Sequence, residues 1–200
     1  MDEQAVAYPA NLSVDYPDRN LDRLTTFFRI FVVIPVAIVL SAISGGYQCS
    51  AGGFLALGPL LMILFRQKYP RWWFDWNLAL AGFSTRVFAY LALLRDEYPS
   101  TDEEQAVHVS MQYPDVKLEL SRGMPLVKWF LAIPHYFVLC FLAIAAAVCV
   151  IIAWFAILFT GRYPKSLFEF VMGVGRWAFR VEAYAFLLVT DKYPPFSLTA

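Results

Sequence analysis

The chain has 200 residues, of which 60% are hydrophobic and 16% charged, with 16 basic and 16 acidic side chains. A soluble domain is about 45–50% apolar and about 25% charged, so this composition excludes that class and indicates an integral membrane protein. Zero net charge without a basic block excludes a dedicated nucleic-acid-binding protein, and three scattered cysteines exclude a disulfide framework.

Two short segments, 12–16 and 107–111, alternate between apolar and polar residues. Alternation over five residues is typical of a strand, and a lone hairpin is only marginally stable. We therefore expect the two segments to pair with each other, with 116–120 as a candidate third strand. A basic amphipathic stretch follows each segment and contains Arg19, Arg23 and Arg29 in the first half, and Arg122 and Lys128 in the second.

A long apolar run comes next in each half. Residues 126–159 contain one formal charge, Lys128, and as a helix they would extend about 50 Å, longer than the roughly 30 Å hydrocarbon core of a bilayer. The first run is interrupted at 44–53 by four glycines in ten residues, which disfavour a regular helix. An unwound helix, a hairpin that enters the membrane part-way and a loop near the interface all stay open there.

A second, mixed helix is predicted in each half, over 72–94 and 167–189. Both are long enough to cross a membrane, so we expect them to span; if they instead lie in the interface, the two halves become inverted repeats. The dipeptide Tyr-Pro occurs seven times, and because the residue before proline avoids the helical region, each occurrence predicts a helix boundary. The distribution of basic residues leaves the orientation open.

The two halves resemble each other at an offset of 94 to 99 residues. The segments 16–18, 65–71 and 86–99 recur at 113–115, 159–165 and 180–194, and such self-similarity indicates repeats. We expect an all-α integral membrane protein of two tandem repeats, with four membrane-embedded helices in total and a small extramembrane β element. The predicted domains are a first repeat at 1–99, a linker at 100–106 and a second repeat at 107–200.

The mixed helices carry a polar stripe. Asp75 and Arg86 are eleven residues apart, as are Glu169 and Arg180, so each acid shares a helix face with an arginine. The same stripe includes three further residues: Tyr90, Arg176 and Tyr184. Charged groups within a span usually face protein or a water-filled cavity. The stripe therefore predicts one of two roles. It forms a polar seam, for an ion, a lipid headgroup or a subunit, or Arg86 and Arg180 pair with acids or helix-end carbonyls and lock the two halves together.

We expect no catalytic, cofactor-binding or metal-binding residues, and hence no enzyme. The sequence has no glycine-rich phosphate loop, no paired metal-ligand motif and no nucleophile with a suitable histidine nearby. A transmembrane haem normally needs two facing axial ligands, and His135 is the one histidine in the long apolar run. An aromatic, amphipathic ring in the first turn of a helix at the interface accounts for His135.

The leading functional hypothesis is a structural or accessory subunit, or scaffold, in a homo-oligomer or a larger membrane complex. Its partners would be membrane lipids and itself or other membrane proteins, with no nucleic acid. The alternative is a transport or pore-forming protein whose polar seam lines a pathway. A weaker alternative is binding of anionic lipid headgroups by basic residues in the Tyr-Pro turns, namely Arg66, Lys68, Arg71, Arg162 and Lys165.

The second half resembles the bacterial membrane domain-of-unknown-function family 4389. The matching stretches are 126–135, 153–164, 176–177, 180–181, 183–184 and 191–196, and the first half looks like a diverged second copy that departs from the pattern at 44–53. The resemblance implies a protein of the cytoplasmic (inner) membrane of a prokaryote, and from the predicted spans we expect it to be multi-pass. It supplies no catalytic residues.

Overall fold

The computed structural model describes residues 8–43, 54–101 and 103–199. Two strands and eight helices follow one another along these residues: β1 (Ala10–Val14), α1 (Arg23–Val32), α2 (Ile34–Ile43), α3 (Phe54–Arg66), α4 (Arg71–Leu91), β2 (Val107–Met111), α5 (Val116–Glu119), α6 (Met124–Leu131), α7 (Ile133–Thr160) and α8 (Lys165–Ala185). The glycine-rich segment 44–53 lies outside the described residues.

Proline sets several of the helix boundaries. Pro70 and Pro164 precede α4 and α8 in extended conformation, which confirms the boundary predicted at these two Tyr-Pro dipeptides. Pro134 lies in the first turn of α7, where its missing N–H has no helical partner to lose, so α7 starts anew where α6 ends. The same Ile-Pro sequence opens α2, and α1 and α2 meet at 42°.

The two strands form an antiparallel pair, as predicted, with Leu12 opposite Val109. Alternate residues of β1 are buried because one face of the pair is covered by helices. α8 packs against β1 and α7, and α4 packs against β2. The candidate third strand at 116–120 is wrong, because Asp115 caps the N–H groups of residues 117 and 118 and starts the short helix α5 there.

The prediction of four membrane-embedded helices is wrong. Among the described residues, α7 is the helix long and apolar enough to cross a membrane, and α1 with α2 meets that test only as a bent pair. α8 has five charged residues among its 21 and buries twelve residues inside the protein, whereas α7 buries three of 28. The prediction relied on the length of this helix and on its neutral stretches. Apolar side chains can be covered either by protein or by lipid, so these two features do not distinguish a packed helix from a membrane span.

The prediction of two tandem membrane repeats is also wrong for this fold. The 28-residue helix α7 contrasts with α2 and α3, which have 10 and 13 residues. The strand of each half pairs with the strand of the other, and α8 packs on β1, so neither half forms its own compact unit. The boundaries at 99–100 and 106–107 stay a prediction.

The C-terminal segment 190–199 lies directly on α8. A Cβ atom on Gly173 would come within 2.9 Å of the carbonyl oxygen of Leu198, so this glycine permits a close approach that alanine would obstruct. On Gly82 in α4, a Cβ atom would meet none of the described atoms within 4 Å apart from its chain neighbours and the backbone of its own helix. Position 173 therefore has no room for the methyl group of alanine, whereas position 82 has.

Candidate functional site

A buried ion pair joins α1 to the turn after α4. The guanidinium of Arg29, 2% exposed, donates to a carboxylate oxygen of Asp96. Its Nη1 also donates to the carbonyl oxygens of Tyr90 and Arg95, both at 2.9 Å, and the group lies 4.5 Å from the centre of the Tyr90 ring. The charge is thus compensated by a carboxylate, two carbonyls and an aromatic face.

A second buried pair of the same design joins α6 to the turn after α8. The ammonium of Lys128, fully buried, lies 2.8 Å from the carboxylate of Asp191. It donates to the carbonyl oxygen of Thr190 at 2.7 Å and sits 5.1 Å from the centre of the Tyr184 ring. α1 and α6 therefore each place one cation on the protein side of the helix.

A leucine with left-handed backbone conformation precedes each of these aspartates and sets the position of its carboxylate. Leu93 and Leu188 have φ of 63° and 57°, values that cost a non-glycine residue roughly 1–2 kcal/mol. Each turns the chain back after its helix, so that the aspartate three residues later meets the buried cation. The second oxygen of Asp96 accepts from the backbone N–H of Asp22 at 2.7 Å, and that of Asp191 from Ser121 at 2.7 Å. Each carboxylate thus fixes the entry to α1 or α6.

The sequence draws attention to Arg29 and Lys128 but does not identify their partners. Arg29 and Asp96 are 67 residues apart, and no periodicity within one helix connects them. The one available signal was a single cation five residues before each Ile-Pro dipeptide, inside an otherwise apolar stretch. A lone cation in such a stretch predicts a buried acidic partner.

The acids of the predicted polar seam do not meet its arginines. Asp75 is exposed and pairs with Arg71 one turn before it, at 3.1 Å. Glu169 is likewise exposed and lies 3.9 Å from Lys165. Both acids therefore belong to solvent-exposed i,i+4 pairs at the starts of α4 and α8.

The arginines of the predicted seam bind backbone carbonyls instead. Arg86 donates to Ser100 at 3.0 Å, and Arg176 donates to Leu12 and Leu198, both at 3.1 Å. Arg180, 3% exposed, donates to the carbonyls of residues 197 and 199. Tyr90 and Tyr184 lie beneath the buried cations, so the seven residues fall into exposed pairs, carbonyl-binding arginines and ring platforms rather than one continuous seam.

The basic Tyr-Pro turns present exposed cations at the surface. Arg66, Lys68, Arg71, Arg162 and Lys165 are all exposed. The Arg71 guanidinium lies 4.8 Å from the centre of the Tyr113 ring, and the Nε of Arg162 donates to the side-chain oxygen of Asn20 at 3.2 Å. These residues lie at two separate turns, the first between α3 and α4 and the second between α7 and α8.

Tyrosines fix both turns from beneath. The hydroxyl of Tyr69 donates to the carbonyl oxygen of Leu187 at 2.8 Å, and burial raises the pKa of Tyr69 above its ordinary value. Tyr163 is equally buried, but its hydroxyl has no hydrogen-bond partner within the described part of the chain. From the other side, Tyr16 donates to the carbonyl of Tyr163 and Tyr113 to that of Tyr69.

The turn after α4 is closed by a partly exposed carboxylate, Glu97. Burial alone would raise the pKa of Glu97, but hydrogen bonds from Arg95 and from the backbone N–H of Ala106 outweigh burial and hold the pKa below its ordinary value. The Arg95–Glu97 distance is 2.8 Å. This carboxylate is therefore ionised in the folded protein at neutral pH.

His135 is fully buried rather than at an exposed interface. Its Nδ1 accepts from the indole N–H of Trp177 at 3.1 Å, and its ring stacks on Phe196 with 4.0 Å between centres. Within the described ranges, no three His, Cys, Asp or Glu side chains are grouped to hold a metal ion. His135 thus anchors the C-terminal segment against α7 and α8.

Residues 124–197 match the model of a family described as "Domain of unknown function (DUF4389)", which confirms the resemblance of the second half. The matched segment includes α6, α7 and α8, and with them Lys128, Arg180 and Asp191. The match does not extend into residues 1–99, so their interpretation as a second copy is not confirmed. No curated protein and no solved structure matches the chain.

Proposed function

We propose that the protein is a non-enzymatic scaffold or accessory subunit embedded in the cytoplasmic (inner) membrane of a prokaryote. In this proposal α7 crosses the bilayer and α1 with α2 forms a second, broken passage, so that the protein is multi-pass. The protein acts by packing against a second copy of itself or against other membrane proteins. The observation that carries the proposal is the inverted polarity of α1 and α6.

Each helix buries one cation and exposes most of its apolar side chains. α1 buries Thr26 and Arg29 while Ile30 and Phe31 are 71% and 68% exposed. α6 buries Lys128 and exposes neighbouring apolar side chains. Exposure of apolar surface to water costs about 25 cal/mol for each Å². A hydrocarbon environment removes that cost. The inversion therefore supports contact between these helices and lipid.

The long helix α7 extends the apolar surface. Its outward side chains include Phe137, Ile144, Ile151 and Phe159, all exposed. Its 28 residues would measure about 42 Å, enough to cross a hydrocarbon core of roughly 30 Å with some tilt. An exposed apolar patch of this extent marks a membrane or protein contact surface.

The arginines of the mixed helices support the scaffold over the transport alternative. In the transport alternative, the charged side chains of the polar seam would face a water-filled pathway. Arg176 and Arg180 instead donate to carbonyls of β1 and the C-terminal segment, which holds separate parts of this chain together. The exposed tryptophans of α4, Trp72 and Trp76, offer a partner surface, because aromatic residues are enriched in protein interfaces.

The mass of the intact assembly tests this proposal. The protein is extracted from native membranes in a mild detergent, and native mass spectrometry identifies the species that co-purify with it. We expect a stoichiometric homo-oligomer or complex that W72A/W76A dissociates, while F65A, which removes an exposed aromatic ring from α3, leaves it intact. A monomer without partners would contradict the proposal, as would ion or solute flux in liposomes carrying the purified protein.

A further inference from the structure

Two cavities of opposite character flank the contact between α1 and α7: one lies between the two helices, and the other lies between the segments just before α1 and just after α7. α1 runs alongside the C-terminal half of α7: Arg23 donates to the carbonyl of Phe159 at 3.3 Å, and the indole N–H of Trp154 donates to the carbonyl of Thr26 at 3.2 Å. As α1 proceeds from residue 23 to 30, its neighbours on α7 go from 159 back to 150. We call this contact region the α1–α7 cleft.

One end of the α1–α7 cleft is polar. Residues 16–20 and 162–163 enclose a cavity of about 370 Å³. Arg19, Asn20 and Arg162 line it, together with the carboxylate of Asp18, so the two guanidiniums leave a net positive charge. The cavity lies just beyond Thr160, the last residue of α7, where the polar region of a bilayer would begin if α7 spans it.

The walls of this polar end are held in place. The backbone N–H of Leu21 donates to the carbonyl of Gly161 at 2.8 Å, and Gly161 closes α7 in the left-handed region with φ of 73°. The side chain of Asn20 fixes the Arg162 guanidinium through Nε. That bond leaves the terminal nitrogens of Arg162 able to donate to an anion with the fork geometry that suits phosphate.

The other end of the α1–α7 cleft is apolar. A groove of about 360 Å³ is lined mainly by Ile30, Leu91, Val150, Ile151 and Phe155. Nine residues of helix, about 14 Å, separate Ile151 from Thr160, where α7 ends beside the polar cavity. An amphiphile with a charged head and an apolar chain spans such a distance, whereas a free anion fills only the polar end.

We propose that the α1–α7 cleft binds one anionic glycerophospholipid, with its phosphate against Arg19 and Arg162 and an acyl chain along Ile30 and Ile151. The inference rests on the proposed membrane location and names the lipid class that the protein takes there. Charge complementarity selects the anionic headgroup, because a zwitterionic lipid brings its own cation to a cavity that is already positive. The change from polar to apolar lining sets the orientation of the lipid in the cleft.

Native mass spectrometry of detergent-purified protein tests the headgroup end, with dioleoyl phosphatidylglycerol and dioleoyl phosphatidylcholine as probes. We expect R19Q/R162Q to reduce the preference for the anionic lipid about 30-fold, roughly fivefold for each cation. K165Q removes an exposed cation from the same turn but outside the cavity. K165Q should change the preference less than twofold; an effect equal to that of R162Q would show a diffuse surface charge and overturn the site.

The apolar end is tested by two neighbouring substitutions on α7. Ile151 lines the groove, whereas Ile152 is similarly exposed and does not. I151W fills the groove and should reduce retention of the anionic lipid about tenfold, while I152W should leave it unchanged. Equal retention by the two variants would overturn the acyl-chain assignment.

Two further experiments distinguish a lipid ligand from a free phosphate compound and test the membrane location separately. Glycerol phosphate at millimolar concentration should not displace the lipid; displacement would make a free phosphate compound the ligand and overturn the lipid assignment. Flotation with liposomes tests the membrane location independently, and R19Q/R162Q should float like the wild type because the apolar surface of α7 is unchanged. Wild-type protein that floats without preferring an anionic lipid refutes the cleft alone, whereas protein that does not float refutes the proposed function.

Discussion

Replacing Asp96 with asparagine removes the negative charge beside Arg29 and keeps the size of the side chain. The two side chains are 11% and 3% exposed, so the guanidinium would stay buried without its counter-charge. Loss of one partner of a buried pair costs about 3–5 kcal/mol. The asparagine oxygen can still accept from the N–H of Asp22, so we expect the lower end of that range, about 3 kcal/mol.

The matched control is D75N, the same substitution in an exposed pair. Arg71 and Asp75 are 67% and 53% exposed, and an exposed i,i+4 pair contributes about 0.5 kcal/mol or less. Thermal unfolding in detergent micelles measures the difference. For a chain of this length about 3 kcal/mol corresponds to roughly 6–12 °C in Tm, and D75N should stay within about 2 °C of the wild type.

A second substitution identifies the cause of the loss. In R29M/D96N neither charge remains in the interior, so the double variant should be at least as stable as D96N alone. If D96N and D75N unfold within about 1 °C of each other, or if R29M adds its full cost to that of D96N, the ion pair does not hold α1 against the turn after α4. The proposed basis for the inverted polarity of α1 would then be wrong.

Three other predictions concern the packing of the mixed helices and turns. G173A should destabilise the protein by about 1–3 kcal/mol, because its Cβ meets the C-terminal segment, while G82A should stabilise it by up to about 1 kcal/mol through helix propensity; thermal unfolding compares them. Y69F should lower the free energy of unfolding by about 1 kcal/mol, because it leaves a buried carbonyl unpaired. Y163F should lower it less, because the hydroxyl that it removes makes no hydrogen bond within the described residues. Equal losses of stability in the two variants would contradict this difference. Because the pKa of Glu97 is lowered by folding, its contribution to the free energy of unfolding is present at neutral pH and is lost as pH falls through the folded-state pKa. E97Q should therefore lower stability at pH 7 by less than about 1 kcal/mol. It should also flatten the acid side of the pH–stability profile.

Local features of the fold were predictable from the sequence. The alternation at 12–16 and 107–111 predicted the strand pair, displaced by two residues in β1. Tyr-Pro marked the starts of α4 and α8 because proline constrains its own φ and the residue before it. These features depend on a few adjacent residues, which is why one sequence sufficed.

The position of α8 could not be predicted in the same way. Its apolar residues were interpreted as a span, yet Phe168, Trp177 and Tyr184 are buried by other parts of the chain. Periodicity shows that a helix has an apolar face. It does not show whether protein or lipid covers that face. Charge content was the better guide here, because five charged residues among 21 would be costly in a hydrocarbon core.

The candidate site was missed for a related physical reason. Helical spacing placed Asp75 on the same face as Arg86, but eleven residues of helix measure about 16 Å along the axis, too far for an ion pair. Asp75 and Glu169 each pair within one helical turn instead. The acid that pairs across the fold is Asp96, with Arg29. A shared helix face therefore indicates a common environment for two charges, whereas contact within one helix requires a spacing of three or four residues.

The inverted polarity of α1 connects the buried pair with the α1–α7 cleft. Arg29 and Thr26 face the protein and also line the floor of the apolar groove, while Ile30 belongs to the outward face and forms its rim. Without the carboxylate of Asp96, the buried Arg29 guanidinium would be an uncompensated charge beside the groove, where contact with an acyl chain is costly. The ion pair thus keeps the groove apolar, and D96N should weaken retention of the acyl chain as well as folding, whereas D75N should affect neither.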